Sequence, residues 1–500
     1  MNSIRKFVEQ DQQRQKRESP KDRVELPTFR SLILVVLLAG SGAGCGVRRP
    51  YVAPTPMTPI SWEQPAPQGA DLDALSRWWE TFGDAQLTSL VRRGIAGNLD
   101  VRTAISRLRE ARASVSSARA SLRPTVDGSG SVRVSGLSND EGPSITSRSY
   151  SLGLDASWEL DVFGGIRSGI DAAAATAEAR GADLEDVLVS LTAEVALDYI
   201  DIRSLQRRLE LARGNVSLQE ETLELTRFRL QAGLGTDLDV QQATSNVETT
   251  RAQIASLESA LAQATHGLAT LLGAPPGALN AELAAPAAIP VAPLATALGV
   301  PAETLRRRPD VRSAERQLAA QFEQVNVARA DLYPSFRLVG SIGLESLSLA
   351  RLLVPGAAAF WSATPNVSTR LFNREQLRQN VVIQSERQEQ AARAYESRVL
   401  GALQDVEDSL TALAQEQVRR DHLSAAATAA EQAADLSLQL YTAGLRDFRE
   451  VLDAQRSLLT LQDSLASSGA GVSTDLVRLY KALGGGWSAS ALLPAPVTTP

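Results

Sequence analysis

The chain has 500 residues, a formal charge of -6 from 51 basic and 57 acidic side chains, and only two histidines, His266 and His422. Both histidines fall in helical stretches, which argues against a histidine metal centre or a catalytic imidazole, and the mildly acidic balance supplies no basic domain for nucleic acid. A single cysteine excludes an intramolecular disulfide.

Residues 1–44 read as a signal peptide with an atypical N-terminal extension. In "FRSLILVVLLAGSGAGCG" an apolar core from Leu32 to Ala39 follows Arg30 and precedes small residues, the order of a secretory signal. About eight apolar residues are too few to cross a bilayer as a helix. Cys45 stands where a bacterial lipobox places the residue that receives the lipid; Ala43 and Gly44 fit the positions before it, and Gly42 departs from the usual leucine. Lipidation of Cys45 is the expectation, with an ordinary signal cleaved nearby as the alternative. The charged stretch "DQQRQKRESPKDR" is longer than a signal start requires and points to initiation further in, with Val24 as the candidate.

Residues 45–103 form a leader and a first helical segment. Proline then sets the architecture: one cluster runs from Pro50 to Pro67 and another from Pro275 to Pro309, while the intervals from Pro143 to Pro275 and from Pro365 to Pro494 contain none. Proline is disfavoured inside helices, so those two intervals are where long helices can run. The halves also repeat. "VSSARASLRPTVDGSGS" at 115–131 aligns without gaps on "VNVARADLYPSFRLVGS" at 325–341, with eight of seventeen positions identical, and "AGLGTDLDVQQA" (232–243) meets "AGLRDFREVLDA" (443–454) downstream. A unit of roughly 210 residues has been duplicated, giving repeat 1 at 104–310 and repeat 2 at 311–484, with a C-terminal tail at 485–500.

Each repeat begins with a helix and two strands, expected at about 125–136 and 149–162 in the first and at about 335–345 and 361–372 in the second. In "YSLGLDASWELDV" the apolar residues Tyr150, Leu152, Leu154, Ala156, Trp158, Leu160 and Val162 alternate with Ser151, Gly153, Asp155, Ser157, Glu159 and Asp161. Phe336, Leu338, Ile342 and Leu344 repeat the pattern, as do Trp361, Ala363, Val367 and Leu371. Alternation over about 10 residues fits transmembrane strands with lipid on one side and water on the other, which puts Asp155, Glu159 and Asp161 on a wet lumen. A half-buried sheet of a soluble sandwich would alternate too; the secretion signal and the adjacent long helices favour the membrane reading.

Long helical hairpins come next, at about 166–272 and 376–483. In the first, Leu188, Val195, Ile202, Leu209, Val216, Leu223 and Leu230 are spaced by seven, with Leu184, Leu191, Leu205 and Ala212 on the neighbouring seam. That is a coiled-coil pattern. Gly233 and Gly444 sit where each long helix must reverse, a position that favours glycine. Four strands cannot close a barrel, and an open edge in lipid leaves unpaired amides, so several copies must pool their strands. Two copies would supply eight strands and three would supply twelve.

In these features the chain resembles the outer-membrane factors of Gram-negative efflux and secretion systems, of TolC and OprM type, especially the lipoprotein branch. "GCGVRRPYVAP" is similar to the lipidated start of that family, "RWWETFGDAQLTSLV" to its first helical segment, and "LRRRPDVRSAERQLAAQFEQVNVARADLYPSF" to its most distinctive stretch. "WELDVFGGIR" resembles the strand-to-helix junction, whereas the equivalent "TRLFNREQLR" lacks the glycine pair. The resemblance implies an α+β membrane protein: a homotrimeric twelve-stranded outer-membrane β-barrel, four strands per chain, continued by a long periplasmic α-helical barrel built from two tandem repeats. It further implies an adaptor protein, an inner-membrane RND-type pump, an outer-membrane lipid anchor, no cofactor and no enzymatic chemistry. Gly46 is not the aspartate associated with inner-membrane retention.

By the same resemblance the two hairpin turns form the periplasmic tip, where an aspartate matching Asp239 is held by the tyrosine and arginine matching Tyr441 and Arg446, and acidic residues matching Glu450 and Asp453 narrow the opening. A guanidinium and a phenol can both donate to one carboxylate. The simpler alternatives are an exposed pair of Arg446 with Glu450, four residues apart, and a helix-start role for Asp239. Two other functions share some of these features: an exit duct for type I protein secretion, and a surface-anchored coiled-coil adhesin, which would not need two strands per repeat. Cargo is not written in the sequence; antibiotics, solvents, dyes and metal ions are equally open.

Overall fold

The computed structural model describes residues 48–55, 62–63, 75–139, 142–292, 306–352, 354 and 358–487, and among these one α-helix is followed by two matching sets of three α-helices and two strands each. Cys45, the signal segment and the end of the C-terminal tail lie outside the described residues. From Arg49 onward the described residues belong to one compact unit.

After a short 3-10 turn (Trp78–Phe82) and α1 (Ala85–Gly97), the first set runs α2 (Leu99–Ala120), β1 (Thr125–Asn139), β2 (Gly142–Leu160), α3 (Gly165–Gln231) and α4 (Asp237–Leu271). The second runs α5 (Pro309–Ala330), β3 (Ser335–Ser346), β4 (Ala358–Ser368), α6 (Arg374–Thr442) and α7 (Phe448–Ala482). Corresponding helices match in length: 22 residues each for α2 and α5, 67 and 69 for α3 and α6, and 35 each for α4 and α7. At 1.5 Å per residue α3 reaches about 100 Å. One helix–strand–strand–hairpin unit thus occurs twice along the chain.

The four strands form one antiparallel sheet in the order β1-β2-β3-β4, so β2 against β3 joins the two repeats and β1 and β4 are left as edges. Register places Gly128, Leu154, Ile342 and Trp361 in one cross-strand row and Asp127, Asp155, Ser341 and Ser362 in the next. Side chains alternate faces along each strand. One face thus presents Val126, Val132, Val134, Leu152, Leu154, Leu338, Ile342, Trp361 and Val367, all exposed. The other is mainly polar, with Val339 and Phe360 also on it: Ser131 and Ser151 share a hydrogen bond of 2.8 Å, Ser341 and Ser362 one of 2.7 Å, and Glu159 accepts from Arg337 across the strands at 3.0 Å.

Strand ends differ from expectation. The first hairpin is longer, reaching Asn139 and resuming at Gly142. β4 begins at Ala358 and stops at Ser368, so Leu371 lies beyond it. Asp161 also lies outside the sheet, and its expected lumen position is corrected: the side chain turns back to accept from the backbone N–H groups of Ile166 and Arg167, both at 3.0 Å. It satisfies two of the amides that a helix start leaves without partners. At the two strand-to-helix junctions Gly164 (φ 81°) and Asn373 (φ 59°) occupy the same left-handed conformation immediately before α3 and α6. Asparagine is one of the few residues besides glycine that enters this region at low cost, which is how the second junction dispenses with the glycine pair.

Most of the apolar seam of α3 is buried: Leu188, Val195, Ile202, Leu209 and Leu223, and on the neighbouring seam Leu184, Leu191, Leu205 and Ala212. The main core lies at mid-length, where Trp78, Leu87, Leu90, Val195, Ile202, Leu268, Val406 and Leu476 pack together. Arg308 locks that level. Its guanidinium donates to Asp310 and Asp405 and to the carbonyls of Ala402 and Ala482. Burial by itself pushes the Asp310 carboxyl up, but the hydrogen bonds and charge of Arg308 outweigh it and hold the group below its ordinary range. The leader crosses the second repeat, with the Tyr51 hydroxyl donating to Glu315 at 2.7 Å and its ring edge-on to Phe322.

Candidate gate at the hairpin tips

Both long helices end in the same way. The N–H of Gly233 bonds to the carbonyl of Leu230 and that of Leu234 to Arg229; Gly444 and Leu445 bond in the same pattern to Tyr441 and Leu440. Gly233 (φ 74°) and Gly444 (φ 76°) take the left-handed turn that this paired closure requires. Leu234 and Leu445 project from the two turns, exposed.

The first return helix, α4, then starts with a side-chain cap, whereas α7 starts at Asp447 without one. Thr236 accepts from the N–H of Asp239 at 3.3 Å, while the Asp239 carboxylate accepts from the N–H and hydroxyl of Thr236 at 2.9 and 2.8 Å. That reciprocal arrangement is a capping box, and it also sets negative charge at a helix N-terminus. In the second turn Arg446 donates to Glu450 at 3.0 Å, both side chains exposed, and Arg449 lies 3.8 Å from Asp453. Tyr441 is 4 % exposed. Its ring packs on Phe448 with centroids 5.3 Å apart, the guanidinium of Arg229 lies over it at 4.5 Å, and its hydroxyl is buried without a protein partner.

Within one chain, then, the structure brings Arg446 and Glu450 together and does not join Asp239 to Tyr441 or Arg446. Arg229 is a tip residue that the sequence reading does not single out. Yet it is part of a legible series: Arg208, Asn215, Thr222 and Arg229 are spaced by seven along α3, and each makes a polar contact to the second hairpin. Arg208 forms a two-pronged pair with Asp463 at 2.7 and 3.0 Å, Asn215 donates to Gln462 at 3.0 Å, Thr222 accepts from Gln455 at 2.9 Å, and Arg229 donates to the Tyr441 carbonyl at 2.8 Å. Far from the tip, Asp155 and Glu159 lie on the polar face of the sheet, Glu159 in its pair with Arg337.

Among the described residues no group of histidine, cysteine, aspartate and glutamate side chains could hold a metal ion, and no helix is long and apolar enough to cross a membrane. The architecture is therefore a small two-faced sheet joined to paired helical hairpins. Residues 90–274 and 300–485 match the family model of the outer membrane efflux proteins, each match covering one structural repeat. The chain belongs to that family.

Relatives of this efflux protein include nodulation protein T of Rhizobium leguminosarum bv. trifolii, 34% identical over 85% of this chain and 91% of the relative. The pyoverdine export outer membrane protein OpmQ of Pseudomonas putida is 33% identical over 88% and 95%, and the solvent efflux pump outer membrane protein SrpC of Pseudomonas putida 32% over 92% and 99%. Among solved structures, the outer-membrane channel OprN superposes with a TM-score of 0.81 at 33% identity, covering 89% of this chain and 99% of that one. CusC gives 0.77 at 27%, covering 88% and 100%.

Proposed function

We propose that this efflux protein is the outer-membrane exit duct of a tripartite system. Three copies pool their four-stranded sheets into a twelve-stranded barrel, and six helical hairpins continue the pore through the periplasm. A periplasmic adaptor couples the duct to an inner-membrane RND-type pump, which supplies the energy and selects small toxic compounds; the duct itself is passive. A lipid on Cys45 adds an anchor in the outer membrane.

The observation that carries this reading is the sheet: apolar and exposed on one face, hydroxyl- and carboxylate-lined on the other, with both edge strands unpaired within the chain. Unpaired strand edges are not tolerated in hydrocarbon, so closure with further copies follows once the apolar face meets lipid. Relatives named for pyoverdine export and solvent efflux support transport of small molecules.

The tip is the gate in this reading. Asp239, Tyr441 and Arg446 supply closing contacts between copies, since within one chain Asp239 is taken by its cap and Arg446 by Glu450. Glu450 and Asp453 set the charge of the opening. Purified full-length protein should run as a trimer that resists dissociation in detergent and should conduct ions in planar bilayers; a monomer soluble without detergent overturns the reading. The change Asp239→Ala/Tyr441→Ala/Arg446→Ala should raise single-channel conductance, and conductance equal to wild type removes the gate assignment.

A further inference from the structure

Among the described residues, Phe360 is the one aromatic side chain on the polar face of the sheet. It is 36 % exposed and ends the cross-strand row Ser129, Gly153, Gly343, Phe360. The ring reaches from β4 over the two glycines of the neighbouring strands. A Cβ on Gly343 would come within 2.8 Å of the ring atoms Cε1 and Cζ, and one on Gly153 within 3.6 Å of Cζ. The carbonyl oxygen of Leu152 would also stand 2.6 Å from a Cβ on Gly343, so backbone and ring together leave no room for a side chain there. An aromatic ring set over a cross-strand glycine covers bare backbone with one side and leaves its other side open.

The rows on either side of the ring supply negative charge. Asp155 lies in the row on one side, directly opposite Asp127, and Glu345 lies in the row on the other side, opposite Ser151. Asp155 and Glu345 stand two residues from Gly153 and Gly343, about 7 Å along their strands and in opposite directions. All three carboxylates are exposed, and none forms an ion pair among the described residues. The cations of this face do not neutralise them: Arg337 is taken by Glu159, and Arg133 lies two rows away on β1. The face of an aromatic ring attracts a cation within about 6 Å of its centroid. Carboxylates beside it attract the same charge and repel an anion.

We propose that Phe360, resting on Gly153 and Gly343 and flanked by Asp155 and Glu345, is a binding site in the pore wall for organic cations that carry an aromatic ring. The ring of Phe360 supplies a π face and an apolar contact, and the carboxylates select the sign of the charge. Such a site is shallow and open to water, so a bound cation exchanges quickly and is gathered along the duct without being trapped. This rests on the channel reading, in which the polar face lines the lumen and three copies bring three such sites to one level of the barrel.

The test titrates benzyltrimethylammonium into the full-length protein in a nonionic detergent and reads its ring protons by saturation-transfer NMR, with benzenesulfonate as the anion of similar size. Phe360→Leu keeps an apolar side chain but removes the π face, and should weaken binding of the cation about two- to fivefold. Phe360→Tyr should bind as wild type does. Asp155→Asn/Glu345→Gln should also weaken the cation while leaving neutral benzyl alcohol unchanged, and added salt should act in the same direction. Unchanged affinity for the cation in Phe360→Leu or in the carboxylate variant, or benzenesulfonate bound as tightly as the cation, overturns the inference. A chain that purifies as a monomer soluble without detergent overturns the channel reading instead.

Discussion

The guanidinium of Arg229 lies 4.5 Å over the ring of Tyr441 and donates to the carbonyl of the same residue, 212 positions away in sequence. One side chain thereby ties the end of α3 to the end of α6. Replacing it with alanine should weaken the tip by about 2 kcal/mol, the sum of a cation–π contact and a charge-assisted hydrogen bond. Amide exchange read by mass spectrometry should speed up in 223–240 and 441–452 and stay unchanged around Val195. Lysine at this position should recover part of the protection; equal exchange in the alanine variant and wild type would show that the contact contributes nothing.

Arg308→Ala should be more damaging still. It leaves the largely covered Asp310 with only the more distant Arg398, 3.9 Å away, and frees the carbonyls of Ala402 and Ala482 at once. Removing one partner of such a pair costs about 3–5 kcal/mol. The thermal midpoint of the detergent-solubilised protein should fall clearly below that of Arg478→Ala, whose partner pair is more exposed.

Asp198 supplies a pH dependence. Burial, then the neighbouring charges of Asp201 and Glu194, push its carboxyl up to about 6, above the ordinary unfolded value of about 4. The folded chain then binds the proton more tightly than the unfolded one, so stability from this group is full below about pH 4 and is lost as pH rises through about 6. Asp198→Asn should therefore raise the thermal midpoint at pH 8 and make little difference at pH 4. A gain of the same size at both pH values would contradict the assignment.

Ile342 is 62 % exposed in the middle of β3, in the same row as Leu154 and Trp361. Arginine there should cost about 2–4 kcal/mol if that face meets the bilayer, and the yield of heat-stable trimer from outer membranes should drop. Asp155→Asn, on the opposite face, should assemble normally. Equal yields for the two variants would count against a lipid-facing role for the apolar side.

Much of this architecture can be read along the chain because it is periodic or demands special backbone angles. The heptad series from Leu188 to Leu230 and the proline-free intervals predict α3 and α4, and Gly233 and Gly444 mark the two helix reversals. Alternation from Tyr150 to Leu160 gives β2 and its two faces. Where signals overlap, the reading slips: Asp161 continues the polar beat of β2, yet the helix start five residues on claims its carboxylate. The series Arg208, Asn215, Thr222 and Arg229 has the same spacing as the apolar seam, but a heptad search weighs hydrophobic residues and passes over it.

The duplication, the lengths of the hairpins, the turns and the two-faced strands follow from the order of the amino acids, since each of these depends on neighbours within a few residues or on the repeat of one pattern. Which polar groups meet is settled by how the helices pack in three dimensions. Arg208 finds Asp463 and Arg308 finds Asp405 through the spatial register of separate helices, and hydrogen bonds reach about 3 Å, a distance that no periodicity along one helix can specify.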